Sequence, residues 1–209
     1  MVDRAMKGLG MATQDFLNGK LLIAMPNMTD PRFTKSIVLL CSHDEDHAMG
    51  VVVNKPLRSV ELGELLDQLA IDPRPGVAGE PVYYGGPVRT ERGLVVHSLD
   101  YCLPTTMRIT TDLGLTGSQV ILSDIASLSS SRAGPAQSRL VVGHAGWGPA
   151  QLESELAANA WAHCDAASDL IFLRDGDDAW RAAMETLGVT EAMFSSAWSE
   201  TRRDDGHLN

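Results

Sequence analysis

Residues 17–56 read LNGKLLIAMPNMTDPRFTKSIVLLCSHDEDHAMGVVVNKP, and the fold is decided there. Three short apolar runs stand close together: Leu21 to Met25, Ser36 to Cys41, and Met49 to Val53. Each is bounded by Gly, Pro, Asn or Asp, the pattern of strands joined by loops. Ser36 to Cys41 is almost continuously apolar, as a strand buried on both faces must be. Pro26 ends the first run because it has no amide to donate. Asp30-Pro31 marks a turn, with Met28 and Phe33 placed to tuck back onto the core. SHDEDHA is a polar turn that returns the chain as a hairpin, and Pro56 stops the third run.

Beyond this stretch the period changes. Val60, Leu62, Leu65, Leu66 and Leu69 form a helical stripe, with Ser59 as its N-cap. IDPRPGVAGEP (residues 71–81) is a loop, Val82 to Tyr84 a short strand, and Gly85-Gly86-Pro87 a tight turn. Leu94 to His97 and Met107 to Thr111 are β-like, and residues 112–117 leave room for a turn and a short strand. From Ser118 to Leu128 a helix would put Ile121, Ile125 and Leu128 on one face, capped by Thr116 or Ser118; QVIL reads equally as a strand. After a polar loop, Leu140 to Val142 runs as a strand into Gly143-His144-Ala145-Gly146-Trp147-Gly148. Pro149 then opens a helix at its first position, with Leu152, Leu156 and Ala160 on one face. Leu170 to Leu173 is expected as a final strand. Asp177 or Asp178 caps a helix bearing Trp180, Met184 and Leu187, and Gly188 ends it. Residues 190–197 add a further helical turn or two. The expected layout is a flexible lead at 1–15, one α+β domain at 16–198, and a disordered tail at 199–209. Irregular strand spacing argues against a βαβ series and for a mixed, largely antiparallel sheet with packed helices.

Composition excludes several function classes. The chain has 209 residues, 44% of them hydrophobic, so it can build a sizeable core. Its 17 basic and 27 acidic residues leave a net charge of -10, whose field opposes a polyanion. Arg202-Arg203 is followed at once by Asp204 and Asp205. Nucleic acid is therefore not the expected partner; binding it would need a surface assembled from scattered residues such as Arg32, Lys35, Arg89, Arg92 and Arg108. The first residues have no apolar signal-peptide core, and no run reaches 18 apolar residues, so neither secretion nor a membrane partner is expected. Three widely spaced cysteines, Cys41, Cys102 and Cys164, suit a reducing cytoplasm.

Residues that could carry chemistry stand singly. His43, Asp44, Glu45, Asp46 and His47 make a ligand-rich turn, but without a recognised metal spacing, and an ordinary charged hairpin loop is the cheaper reading. His97 and His144 each end a strand and could converge if those strands are neighbours. Cys41 lies in an apolar strand and reads as inert. Cys164 follows His163 directly, and adjacent residues on a helix do not face each other. Asn54 reads as a turn-fixing residue, with Lys55 beside it. Gly85 and Gly86 could bring backbone up to a ligand, but a turn between strands explains them more cheaply. The segment from Gly143 could hold an anion on free amides, but small residues packing under Trp147 explain it more simply. No catalytic residue, cofactor or metal is assigned. The candidate surface is His43, Asn54, Lys55, Gly85, Gly86 and His144.

Several segments are recognisable together: LLIAMPNMTDPRFTKSIVLLCSH, AMGVVVNKPL, VYYGGPV with RGLVVHS, and GHAGWGPAQLESEL with DLIFLR and a following tryptophan helix. In this order and spacing, from Phe16 to Leu187, the chain resembles the YqgE/AlgH family. The resemblance implies an α+β fold with coiled or bifurcated sheets. It brings no established catalytic residues, and it brings a transcriptional-regulator label from one branch. The chain departs from the family pattern at His144, where a tyrosine is usual, and at Cys164 to Asp169, where Ser168-Asp169 replaces a Pro-Ala-Asp approach to the last strand. The leading expectation is a cytoplasmic accessory or regulatory protein acting through a protein partner, with self-association open. An apolar patch around the Phe33 loop would favour it. The alternative is an enzyme or small-molecule binder with a site at strand ends. Direct transcriptional regulation is third, since no basic recognition helix is present.

Overall fold

A computed structural model describes residues 16–126 and 134–189. The expected lead, the helical turns at 190–197, the tail and Leu128 lie outside the described residues. The chain runs β1 (Lys20–Ala24), β2 (Ile37–His43), β3 (Ala48–Val52), β4 (Pro56–Glu61), α1 (Leu62–Gln68), β5 (Pro81–Tyr84), β6 (Val88–Ser98), β7 (Met107–Arg108), β8 (Leu113–Thr116), α2 (Gln119–Ala126), β9 (Ser138–Trp147), α3 (Gln151–Ala157), β10 (Trp161–Asp165), α4 (Ser168–Phe172) and α5 (Gly176–Thr186). The fold is α+β, with a curled sheet in the order β10-β1-β2-β3-β9-β6-β8-β7. Its ladders are antiparallel except for the parallel pair of β5 with β9.

The sheet forks at β9. One edge of that strand carries β6 from Ser138 to His144. The other is shared: β5 takes Val141 and Val142, and β3 takes Ala145 to Trp147. Between them sits Gly143, with φ at 75°.

The quoted stretch behaves as its pattern requires. Leu21, Ile23, Ile37 and Leu39 enter one core, under α4 and α5. Leu22, Ala24, Val38 and Leu40 enter another, against Leu152 of α3, Trp147 and Trp161. Strands with side chains alternating between two buried faces must be continuously apolar. A third core gathers Leu62 and Leu66 of α1 with Ile121 and Ile125 of α2, which makes QVIL helical. Ser118 Oγ accepts from the Val120 amide at its start. Phe33 packs edge-on against Trp161, with ring centroids 5.6 Å apart, so its loop presents no apolar patch built on that ring.

Several elements differ from expectation. Pro56 opens β4, and Ser59 and Val60 belong to that strand, so Glu61 holds the N-cap position of the following helix, without a side-chain capping bond. The segment after Val142 stays in β9 to Trp147, and Pro149 lies in a turn before α3. Trp161–Asp165 is a strand, not a helical continuation. Residues 168–172 form α4 where a last strand was expected. Asp175, not Asp177 or Asp178, precedes α5 as N-cap. Gly188 does end α5: with φ at 75° it donates to Glu185 O while Val189 donates to Met184 O.

Candidate functional site

The first half of β6, Val88 to Gly93, is exposed and lies beside the end of β9, where Val88 pairs with His144. The register shifts between Val88 and Gly93, a bulge that re-aims side chains. Within it Arg89 adopts φ of 50°, a left-handed conformation uncommon for a long side chain. Arg89 and Arg92 leave this strand into a groove of about 540 Å³. Its walls are Met49, Val88, Leu94, Met107, Leu115 and Gly117, and His144 reaches it from β9. Val88 and Met107, 40% and 42% exposed, form apolar edges. Neither arginine forms an ion pair with a described residue. Burial, and behind it the charges of Arg89 and Arg92, push the His144 imidazole below the ordinary histidine range. Unlike His43 and His97, the His144 ring has no hydrogen-bond partner among the described residues. An adjoining cleft of about 340 Å³, between α1, α2 and β6, shares Arg92 and Gly117 with the groove. The arrangement can hold an anion against guanidinium groups while apolar walls receive its carrier.

Of the candidate surface, the structure joins Gly85, Gly86 and His144. The two glycines cross the backbone of Gly143 and His144 at close range. Gly85 is fully engaged, its amide on Val142 O and its carbonyl on the Val52 amide. Asn54 is buried: its Oδ1 accepts from the Ile37 amide at 2.8 Å, and its Nδ2 donates to the Lys35 and Gly176 carbonyls. Lys55 donates to Arg32 O, and burial lowers its affinity for the proton.

His43 lies in β2, not in the polar turn. It accepts from the Leu17 amide on Nδ1, which leaves the Nε2 proton to donate to Glu153 Oε1 at 2.8 Å. His47 instead faces Asp44. His97 and His144 do not converge, because their partners Ser138 and Val88 sit at opposite ends of the β6–β9 ladder. Buried His97 ends a chain of donors: the Leu103 amide, then Thr106, then Thr116, then its Nε2, with Nδ1 facing Ser98 O.

Burial lowers the His97 pKa below 6.5. The unfolded chain therefore takes up this proton first on acidification, and stability is expected to fall as pH drops below about 6.5. The depressed carboxylates Asp30, Asp44, Asp100 and Asp165 act only below their ordinary value of 3.8. Urea unfolding between pH 7.5 and 5.0 should show this slope, shallower in His97→Gln; an unchanged slope would place it elsewhere.

A model of the AlgH-like family, DUF179, matches residues 21–192. The chain belongs to this family. Among AlgH-like relatives, a UPF0301 protein of Paracoccus denitrificans is 43% identical over 182 residues, 86% of this chain and 94% of that one. A UPF0301 protein of Caulobacter vibrioides is 41% identical over 183 residues, 87% of this chain and 92% of that one. The solution structure of the AlgH protein from Pseudomonas aeruginosa is similar with a TM-score of 0.72 at 35% identity, covering 88% of this chain and 95% of that one. The crystal structure of a Corynebacterium diphtheriae protein, at 22% identity and a TM-score of 0.63, shares the fold.

The AlgH-like chain also holds a cluster around a buried arginine that sequence reading missed. Arg139 is 6% exposed. It lies 4.0 Å from the centroid of the Tyr83 ring, pairs with Asp175 at 3.0 Å, and donates to the Val53 carbonyl. Tyr83 donates to the same Asp175 oxygen, and burial pushes its phenol up to about 12. The four groups come from β9, β5, the residue before α5 and the residue after β3, so no local motif could announce them. In the AlgH-like fold they rivet α5 to the fork. Cys41 is inert as read, its thiol pushed up to about 12 by burial.

Proposed function

We propose that this protein is an accessory binding protein that acts through a protein partner, and that an acidic segment of that partner docks in the Arg89–Arg92–His144 groove. The observation that carries this reading is two arginines without ion pairs to described residues, set between apolar edges, on a chain of net charge -10. Such a local reversal of charge attracts an anionic partner and sets its register. The groove suits side chains rather than a duplex. Arg32 and Lys35, which a broad basic face would need, are engaged by Asp30 and Asp177. The polar groups of His43, His97 and Asn54 are already spent on structural bonds. A second reading, a small-molecule site, draws on the cleft that shares Arg92 with the groove. No helix among the described residues is long and apolar enough to cross a membrane.

The test is quantitative affinity capture with the wild type and with Arg89→Glu/Arg92→Glu. A partner retained by the wild type should bind the double variant at least about tenfold more weakly, with unchanged far-UV circular dichroism. Equal retention by both would remove the groove from the docking surface.

A further inference from the structure

We propose that Arg89, Arg92 and His144 form an anion site for a side-chain carboxylate of an acidic peptide segment, and that His144 takes up a proton as the carboxylate enters. The inference rests on the docking groove proposed above and adds its ligand chemistry and its regulation.

The geometry supplies a reason for each residue. Arg89 is presented by a left-handed bulge residue, Arg92 by the same strand three positions on, and His144 by the neighbouring strand. Among the described residues they are the only charged or titratable side chains lining the groove; Glu91, from the same strand as the arginines, lines the adjoining cleft instead. In the free protein partial burial, and behind it the two arginine charges, keep the imidazole neutral near pH 7.5. A carboxylate placed among the three groups offsets the arginine charges and favours the imidazolium. The bound form then holds a proton more tightly than the free form. Linkage requires affinity to rise as pH falls through the histidine range. Glutamate side chains remain ionised across most of that window, with an ordinary pKa of about 4.3, so the trend would belong to the protein.

The experiment uses the full chain and two probes, an N-acetylated hexapeptide of alternating Glu and Leu and inorganic sulfate, whose charge is constant from pH 5.5 to 8. Binding is followed by NMR, together with the His144 imidazole titration. The peptide should bind at least about fivefold tighter at pH 5.5 than at pH 8, and the midpoint of His144 should rise at saturation. In His144→Gln the peptide should still bind, but without this pH dependence. Retention of the full dependence in that variant, or an unmoved His144 midpoint, would overturn proton uptake and leave the docking reading standing. Sulfate binding without peptide binding would overturn the peptide carboxylate as ligand and point to a free oxyanion. Failure of both probes, or peptide binding unaffected by Arg89→Ala/Arg92→Ala, would overturn the anion site and the docking reading together.

Discussion

Replacing Asn54 by alanine is expected to cost about 3–5 kcal/mol of stability. The side chain is 1% exposed and satisfies three main-chain groups from three places: the Ile37 amide at the start of β2, the Lys35 carbonyl before it, and the Gly176 carbonyl at the start of α5. Its own carbonyl accepts from the Gly176 amide. Lys35 has φ of 55°, so the amide also holds a left-handed residue in place. Truncation orphans a buried donor and two carbonyls, each at about 1–3 kcal/mol before water enters. Asn54→Asp separates the contributions. It keeps an acceptor for Ile37 but aims a charged oxygen at two carbonyls, so it should also destabilise. Urea denaturation of both variants is the check. A loss below about 1 kcal/mol in Asn54→Ala would mean that the joint between the sheet and α5 is held elsewhere, with the Arg139–Asp175–Tyr83 cluster the first place to look.

That joint marks the limit of what local pattern reveals. The central strands were legible because burial on both faces leaves a continuous apolar run, and the two cores divide those runs by alternate residues. The elements misread are the ones whose burial is decided by distant neighbours. Trp161–Asp165 is an edge strand that fully buries only Trp161; half-buried Ala162 and Cys164 alternate with exposed His163 and Asp165, too weak a pattern to stand out after the helical stripe of Leu152, Leu156 and Ala160. The break between α3 and this strand comes at Asn159, a non-glycine residue at φ of 55°. DLIFL has the composition of a strand, yet Leu170 and Ile171 point together into the core as one turn of helix. Pro56–Glu61 is a largely exposed edge strand, where proline is tolerated, and its Val60 coincides with the stripe of the helix after it.

The groove was legible only in part. His144 was singled out as a residue at a strand end, and it lines the groove. Arg89 and Arg92 appeared only as scattered basic residues, because the side chains converge through a bulge and a strand pairing that join residues far apart in sequence. His43 drew attention as part of a ligand-rich turn, and Asn54 as a turn-fixing residue. Both are buried polar groups that must be satisfied, and such a group is more often a structural anchor than a reagent.

Gly86→Ala is expected to abolish folding or to cost about 4 kcal/mol or more. A methyl at this position would lie 2.1 Å from the His144 carbonyl carbon, 2.3 Å from its oxygen and 2.4 Å from the Ala145 nitrogen. These are backbone atoms of β9, so no side chain can swing aside. The backbone at Gly86 has φ of 149°, a conformation open to glycine, and the strain would persist even if β9 gave way. Gly143 faces the same crossing from the other strand, with a methyl there only 2.4 Å from Gly86 O. The contact lies at the fork of the sheet and directly behind His144. Any variant that does fold should therefore shift the His144 imidazole resonances and weaken anion binding, although no groove side chain has changed. Gly79→Ala is the control: a methyl there meets nothing within 4 Å, and the change should stay within about 0.5 kcal/mol of the wild type. If Gly86→Ala unfolds at the wild-type urea midpoint, the β5–β6 connection does not cross β9 at this distance, and the position of His144 over the groove must be set by the β6 pairing alone.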